Sequence, residues 1–186
     1  EETHGMFAYE ATLRVPLIIA TITPSGGKAP KGLTIESPAR HIDIAPTVLD
    51  IVSGPLDAKW LGSSLRPVID GDRADRPSYF ESMTYNLVRG WAPLRGVLQD
   101  RTKYVDQPIQ EIYDLAKDPG EKDNLASSQS DRVQVLTSLL KTFNVAPPNR
   151  PGQVSAEEAA ALAALSYVSG NAPERHVFTE KDDLKN

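Results

Sequence analysis

The sequence predicts an α/β chain whose second half is a small antiparallel sheet with one helix packed on it, α+β in texture. Three observations carry that reading. Val15-Pro16-Leu17-Ile18-Ile19-Ala20 is a continuous apolar run, too short for a buried helix and too unbroken for a half-exposed strand. It reads as a strand covered on both faces. Residues 95–99, 103–106 and 111–115 are short runs separated by turn residues, the pattern of an antiparallel meander. Val133, Leu136, Leu140 and Phe143 recur at helical spacing and share a face, which suits a helix that backs such a sheet.

The elements follow in order. After residues 15–20, the Pro-, Gly- and Lys-rich residues 23–32 form a loop, and residues 33–36 a short strand. A helix is predicted over 44–52, with Asp43 as its cap, Pro46 in its first turn and Gly54 as its stop. Ile44, Val48 and Ile51 or Val52 form its apolar stripe. Residues 61–69 read as a short helix and 77–82 as a strand. Asp118-Pro119-Gly120 is a turn by its chemistry, and Ser130 caps the sheet-backing helix. Residues 145–152 form a stiff proline-rich linker. Ser155-Ala156-Glu157-Glu158 has capping-box spacing and opens an alanine-rich helix to about residue 168. The polar tail 171–186 is expected to be poorly ordered unless it packs on something.

Composition sets bounds. The 186 residues, 40% hydrophobic and 24% charged, suit a globular protein with a real core, or part of a larger one. A net charge of −5 argues against a nucleic-acid partner, which demands a basic stripe. No apolar run reaches membrane-spanning length. There are no cysteines, so neither disulfides nor thiolate metal sites form here. The chain opens Glu1-Glu2-Thr3 without an initiator methionine, so its start reads as a cut, and the lack of a signal peptide says nothing about export.

The segment from Thr3 to Ile19, with His4-Gly5, the Tyr9-Glu10 pair and Arg14-Val15-Pro16, resembles the stretch that follows the metal-binding Asp-His-Gly-Glu motif of the sulfatase and alkaline-phosphatase superfamily. His41-Ile42-Asp43-Ile44-Ala45-Pro46-Thr47, Leu94-Arg95-Gly96-Val97, Lys103-Tyr104-Val105 and Glu111-Ile112-Tyr113-Asp114-Leu115 continue it in the family's order. Asp118-Pro119-Gly120-Glu121, Asn124-Leu125 and residues 162–168 complete the set. The resemblance covers residues 1 to about 170 and corresponds to the last part of a sulfatase. It implies the closing strand and helices of an alkaline-phosphatase-like core in residues 1–93. A small sheet-and-helix subdomain would occupy 94–145, with a linker, short helix and tail in 146–186.

The resemblance also implies chemistry. Sulfatases use a formylglycine made within a Cys/Ser-x-Pro-x-Arg motif, beside a divalent cation, most often calcium. Ser37-Pro38-Ala39-Arg40 has those letters at the wrong spacing, and Ser53-Gly54-Pro55-Leu56-Asp57 lacks the arginine. Nucleophile and metal ligands are thus expected upstream, and this piece alone is expected to be inactive. His4 stands where family members place a Lys or His against the transferred group. A histidine can stabilise or protonate an oxygen there as charge builds. Its plain alternative is a loop histidine with no task. His4 is therefore the candidate catalytic and substrate-binding residue, with Glu81, Tyr85 and Trp91 as further substrate-binding candidates. Trp91 could stack on a sugar or aromatic group, or simply pack in the core.

His41 reads as a local structural residue and His176 as incidental. Tyr9 and Glu10 either face the site or, for Glu10, pair with Arg14. Asp114, Asp118 and Glu121 fit turn structure better than a metal site. The implied partners are a sulfate-ester small molecule or glycan and the preceding part of the same domain, with self-association expected of the isolated piece. The implied location is extracytoplasmic. Two alternatives stay open. One is a phosphodiesterase or phosphoethanolamine transferase of the same superfamily; the other is a non-catalytic binding or assembly module.

Overall fold

The computed structural model describes residues 6–20, 32–72, 76–146, 157 and 172–186. His4, the loop at 23–31, most of the linker, and the alanine-rich helix expected to 168 lie outside the described residues. The chain divides into two units, one comprising Glu1–Arg14 with Pro77–Asn186, the other Val15–Arg76.

The first unit is built on four antiparallel strands in sequence order: β1 (Ser78–Ser82), β2 (Leu94–Gln99), β3 (Thr102–Asp106) and β4 (Glu111–Asp114). The meander is as the sequence predicts, with β1 as its first strand. The β2–β3 turn uses two residues in the left-handed region, Asp100 (φ 47°) and Arg101 (φ 59°). Such turns match the twist of the strands they join.

Alternation along the strands gives the sheet two faces with different covers. Val97, Tyr104 and Ile112 point to one face, where α5 (Ser130–Leu140) lays Leu136 and Leu140 against them. Val133 and Phe143 pack at the margin of that cluster, completing the predicted stripe. The helix N-cap is Gln129, with no side-chain cap, so Ser130 is the first helical residue rather than the cap. Tyr104, wholly buried, ties sheet to helix through its hydroxyl, which lies 2.8 Å from Thr137 Oγ1 and donates to Asp106 at 2.9 Å. Burial and the neighbouring Asp106 push this phenol up to about 12.

Leu94 and Val105 point to the opposite face, which is covered by the N-terminal segment and the C-terminal tail through Ala8 and Leu184. The tail does pack on something, as an ordered tail requires. Between β1 and β2 runs α4 (Thr84–Arg89), closed by Gly90 at φ 74° in the left-handed C-terminal position.

In the second unit α2 spans His41–Ile51. The predicted capping is corrected here, because Arg40 is the N-cap and Asp43 lies one turn in. The Asp43 carboxylate reaches back to accept the Arg40 N–H at 3.2 Å and its guanidinium at 2.8 Å. Asp43 is fully buried and also accepts the Ser63 N–H at 2.9 Å, with Arg76 at 3.6 Å. Burial pulls its pKa upward, but these donors and cations outweigh it and hold the carboxyl below its usual range. Thr47 extends the link by accepting the Leu65 N–H at 2.9 Å.

Other expectations for this unit are corrected too. Pro46 lies inside the helix, not in its first turn, and leaves the Ile42 carbonyl without its helical donor. The chain after Ile51 turns at Ser53 (φ 56°), so Gly54 follows the left-handed residue and donates to the Leu49 carbonyl at 2.7 Å. The helix predicted over 61–69 is the single turn α3 (Arg66–Ile69). Residues 15–20 and 33–36 form no ladder, since no described strand lies beside them to accept or donate. Ile18 is 85% exposed where a buried strand was expected, and the α2 stripe Ile44, Val48, Ile51 and Val52 faces outward.

Gly96 sits opposite Phe80 and Val105 in the ladders. A Cβ there would overlap the Phe80 ring and the Tyr104 carbonyl. Gly96→Ala is expected to destabilise the first unit by about 1–3 kcal/mol through overpacking, read as a lower urea midpoint. An unchanged midpoint would contradict this packing.

Candidate functional site

The segment that follows His4 is pinned to the sheet by a buried ion group. Lys103, on β3 between the wholly buried Tyr104 and Thr102, points to the face away from α5 and is itself 0% exposed. Its ammonium lies 2.7 Å from Glu121 Oε1 and 3.4 Å from Glu10 Oε1. The Tyr9 and Phe80 rings flank it, with centroids at 5.9 and 5.3 Å. Two carboxylates and two ring faces replace the water that an ammonium loses on burial. Glu10 thus pairs with Lys103 across 93 residues rather than with Arg14.

Glu10 opens the short helix α1 (Glu10–Leu13). Its backbone N–H donates to Glu121 Oε2 at 2.6 Å, so one carboxylate holds both the start of α1 and the lysine. Glu121 takes a left-handed backbone (φ 52°) directly after the Asp118–Gly120 turn. Asp118 supports that turn by accepting the Lys122 and Asp123 N–H groups at 2.7 and 2.9 Å. The acidic cluster therefore does structural work, as its spacing predicts. Tyr9, Glu10, Ala11, Arg14, Pro119, Gly120 and Glu121 line an open depression between α1 and this turn.

A second group sits beside the first. Glu111, 5% exposed, accepts hydrogen bonds from the Tyr113 hydroxyl at 2.9 Å and the Tyr9 hydroxyl at 3.2 Å. Lys185 Nζ lies 3.5 Å from the same carboxylate. Burial and the Glu111 charge push both phenols far above the ordinary tyrosine range. Both therefore stay neutral donors at any physiological pH.

Tyr85 and Trp91 stack at 5.3 Å and 16°, and pack with Met6 and Phe7 around the Ala8–Leu94–Val105–Leu184 cluster. The structure thus brings two candidate residues to the face that holds the segment after His4. Glu81 lies elsewhere. It shares with Tyr79 the side of β1 that faces α5, and its carboxylate accepts the Tyr79 hydroxyl at 2.6 Å. His41 is exposed at the start of α2, and His176 is exposed in the tail. Among the described residues, no three His, Asp or Glu side chains gather to hold a metal ion. The described residues therefore do not fit the cation the resemblance implies.

With this geometry in view, residues 4–145 match the family profile described as N-sulphoglucosamine sulphohydrolase, C-terminal. The chain belongs to this sulfatase family. It is similar to an N-acetylglucosamine-6-O-sulfatase of Bacteroides thetaiotaomicron, 28% identical over 158 residues, 77% of this chain and 28% of that protein. A Delta 4,5-hexuronate-2-O-sulfatase of the same organism is 28% identical over 123 residues, 63% of this chain and 25% of the relative. The solved structure of Ps i-CgsB in complex with k-i-k-neocarrahexaose superposes with a TM-score of 0.53 over 70% of this chain and 29% of that one. At 13% identity that likeness is one of fold. The chain spans about a quarter of the length of its curated relatives.

The family motifs contain Lys103 and Glu111, but no local pattern in the sequence points to their burial or pairing, and Glu121 reads as part of a turn. A lysine between Thr102 and Tyr104 in a strand covered on both faces is the one available signal, because alternation must send it inward.

Two outcomes follow. Lys103→Met strands the Glu10 and Glu121 carboxylates and is expected to cost about 3–5 kcal/mol. Adding Glu121→Gln, which keeps an acceptor for the Glu10 N–H, is expected to recover at least half of the loss in urea unfolding. A single variant within experimental error of wild type would contradict the ion group. The raised phenols also predict an alkaline limit. Their stabilisation is full below the unfolded tyrosine value of 10.0 and is lost as pH climbs through the folded values, for Tyr104 about 12. Unfolding and phenolate absorbance are expected to rise together above about pH 10, whereas early titration of these phenols in folded protein would contradict their burial.

Proposed function

We propose that the chain is the C-terminal portion of a sulfate-ester hydrolase, with His4 contacting the sulfate or the leaving-group oxygen. The family match over residues 4–145 carries the reading. The curated relatives named above, both glycan-type O-sulfatases, point to a sulfated sugar as substrate. The formylglycine nucleophile and a divalent cation, calcium by resemblance, would be held by parts of the enzyme outside this chain, in an extracytoplasmic setting. The described residues of this chain contribute position. Lys103, Glu10, Glu121 and Tyr9 fix the segment that begins two residues after His4.

Tyr85 and Trp91 lie on the same face and offer aromatic surface for a sugar ring. Glu81 serves as the comparison, since its carboxylate lies on the α5 side. The outward stripe of α2 and the apolar residues 15–20 require a cover, which the rest of the enzyme would supply. The isolated piece would self-associate through them and hydrolyse nothing.

The test uses the intact enzyme with para-nitrophenyl sulfate, bis-para-nitrophenyl phosphate and a 6-O-sulfated glucosamine. Sulfate-ester turnover is expected in the wild type, with His4→Ala lowering kcat about 100-fold or more. Trp91→Ala is expected to raise KM for the sugar while sparing the aryl ester. Hydrolysis of the phosphodiester alone would move the protein to phosphoryl transfer. Unchanged turnover in His4→Ala would remove that histidine from the site.

A further inference from the structure

Residues 172–186 lie beyond the stretch that matches the sulfatase family, yet the tail returns to the face that holds the segment after His4. Leu184, 5% exposed, shares one buried cluster with Ala8, Leu94 and Val105, and Met6, Phe7, Tyr85 and Trp91 pack around it. Asp183, 2% exposed, accepts the Ile109 N–H at 2.8 Å. Lys185 donates to the Ile109 carbonyl at 3.1 Å and sits 3.1 Å from Asp183 Oδ1 and 3.5 Å from Glu111 Oε1. That Glu111 carboxylate is the one that receives the Tyr9 hydroxyl.

The tail also grips the loop before β2. The Ala92 N–H donates to the Asp182 carbonyl at 2.8 Å. Arg175 donates to the Gly90 carbonyl at 3.1 Å and pairs with Asp182 at 2.8 Å. The loop so held contains Trp91.

A polar segment loses much freedom when ordered, so it orders only where it packs on something. Here Asp183 and Leu184 are almost fully buried, where residues 6–8 meet the Tyr85–Trp91 pair. We propose that Asp183, Leu184 and Lys185 are positioning residues for the sulfatase reaction. They hold residues 6–9 and the Tyr85–Trp91 pair in one arrangement, so the tail sets the geometry from which the aromatic pair meets substrate. The inference rests on the sulfatase reading. It concerns support of reacting groups rather than contact with substrate, and small displacements of such groups have large kinetic effects.

The experiment compares Lys185→Met, Lys185→Arg and Leu184→Ala in the intact enzyme, well below the melting midpoint of each. Steady-state kinetics on a sulfate ester is combined with hydrogen exchange of peptides covering residues 6–10. Lys185→Met is expected to lower kcat about tenfold with KM nearly unchanged, and to speed exchange at 6–10. Lys185→Arg is expected to restore most of both, because it keeps the charge against Glu111. Should Lys185→Met fail to fold, Leu184→Ala, which empties one cluster position and leaves the charges in place, carries the same two readouts. Exchange at 6–10 that is indifferent to the tail overturns the inference, whatever the activity. So does faster exchange with unchanged kcat, or a kcat loss that Arg does not rescue. A wild type that hydrolyses no sulfate ester overturns the functional reading itself, a failure distinct from an exchange result.

Discussion

A single buried ammonium organises the first unit. Lys103 enters the face of the sheet opposite α5 with no water to solvate it, and an uncompensated charge there would cost several kcal/mol. The compensation comes from far away in sequence, from Glu10 at the N-terminal end and Glu121 after β4. The carboxylate of Glu121 also takes the first free N–H of α1. One charge therefore dictates where the N-terminal segment lies, which way the 118–121 turn points and which rings flank the strand.

The two faces of the sheet then take on different tasks. On one, Tyr104 and the aliphatic side chains meet α5 in an ordinary apolar core with a hydroxyl network at its edge. On the other, buried charges, tyrosine donors and a short apolar cluster fasten both ends of the described chain to the same strands. Charge pairing fixes register more narrowly than apolar contact does, because a displaced lysine or carboxylate loses its partner outright whereas a displaced leucine finds another neighbour.

Local pattern made much of this legible. The meander and the stripe of α5 were readable because each depends on alternation or helical spacing within a few residues. The family motifs, met in order, pointed to a sulfatase, and the profile match bears that out. The exposed run at 15–20 departs from the expected buried strand because periodicity reports that a segment wants two covers, not that the covers are at hand. Asp43 is legible as a helix-end carboxylate but lies one turn inside the helix, because Arg40 takes the cap position where a small polar residue is expected. The pairings of Lys103 with Glu10 and of Glu111 with Tyr9 join residues 93 and 102 positions apart, and nothing local announces them. The tail reads as poorly ordered unless it packs, because its polarity conceals Leu184, the apolar residue that buries.

The central question is whether His4 meets a sulfate ester while the segment after it stays pinned by Lys103. The most direct measurement is a crystal structure of the intact enzyme with a slowly hydrolysed sulfate ester bound. The expected result places a His4 ring nitrogen at hydrogen-bonding distance from a sulfate or bridging oxygen, with Lys103 still between Glu10 and Glu121. A bound ester remote from His4, or a segment lifted from the sheet with Lys103 paired elsewhere, would contradict it.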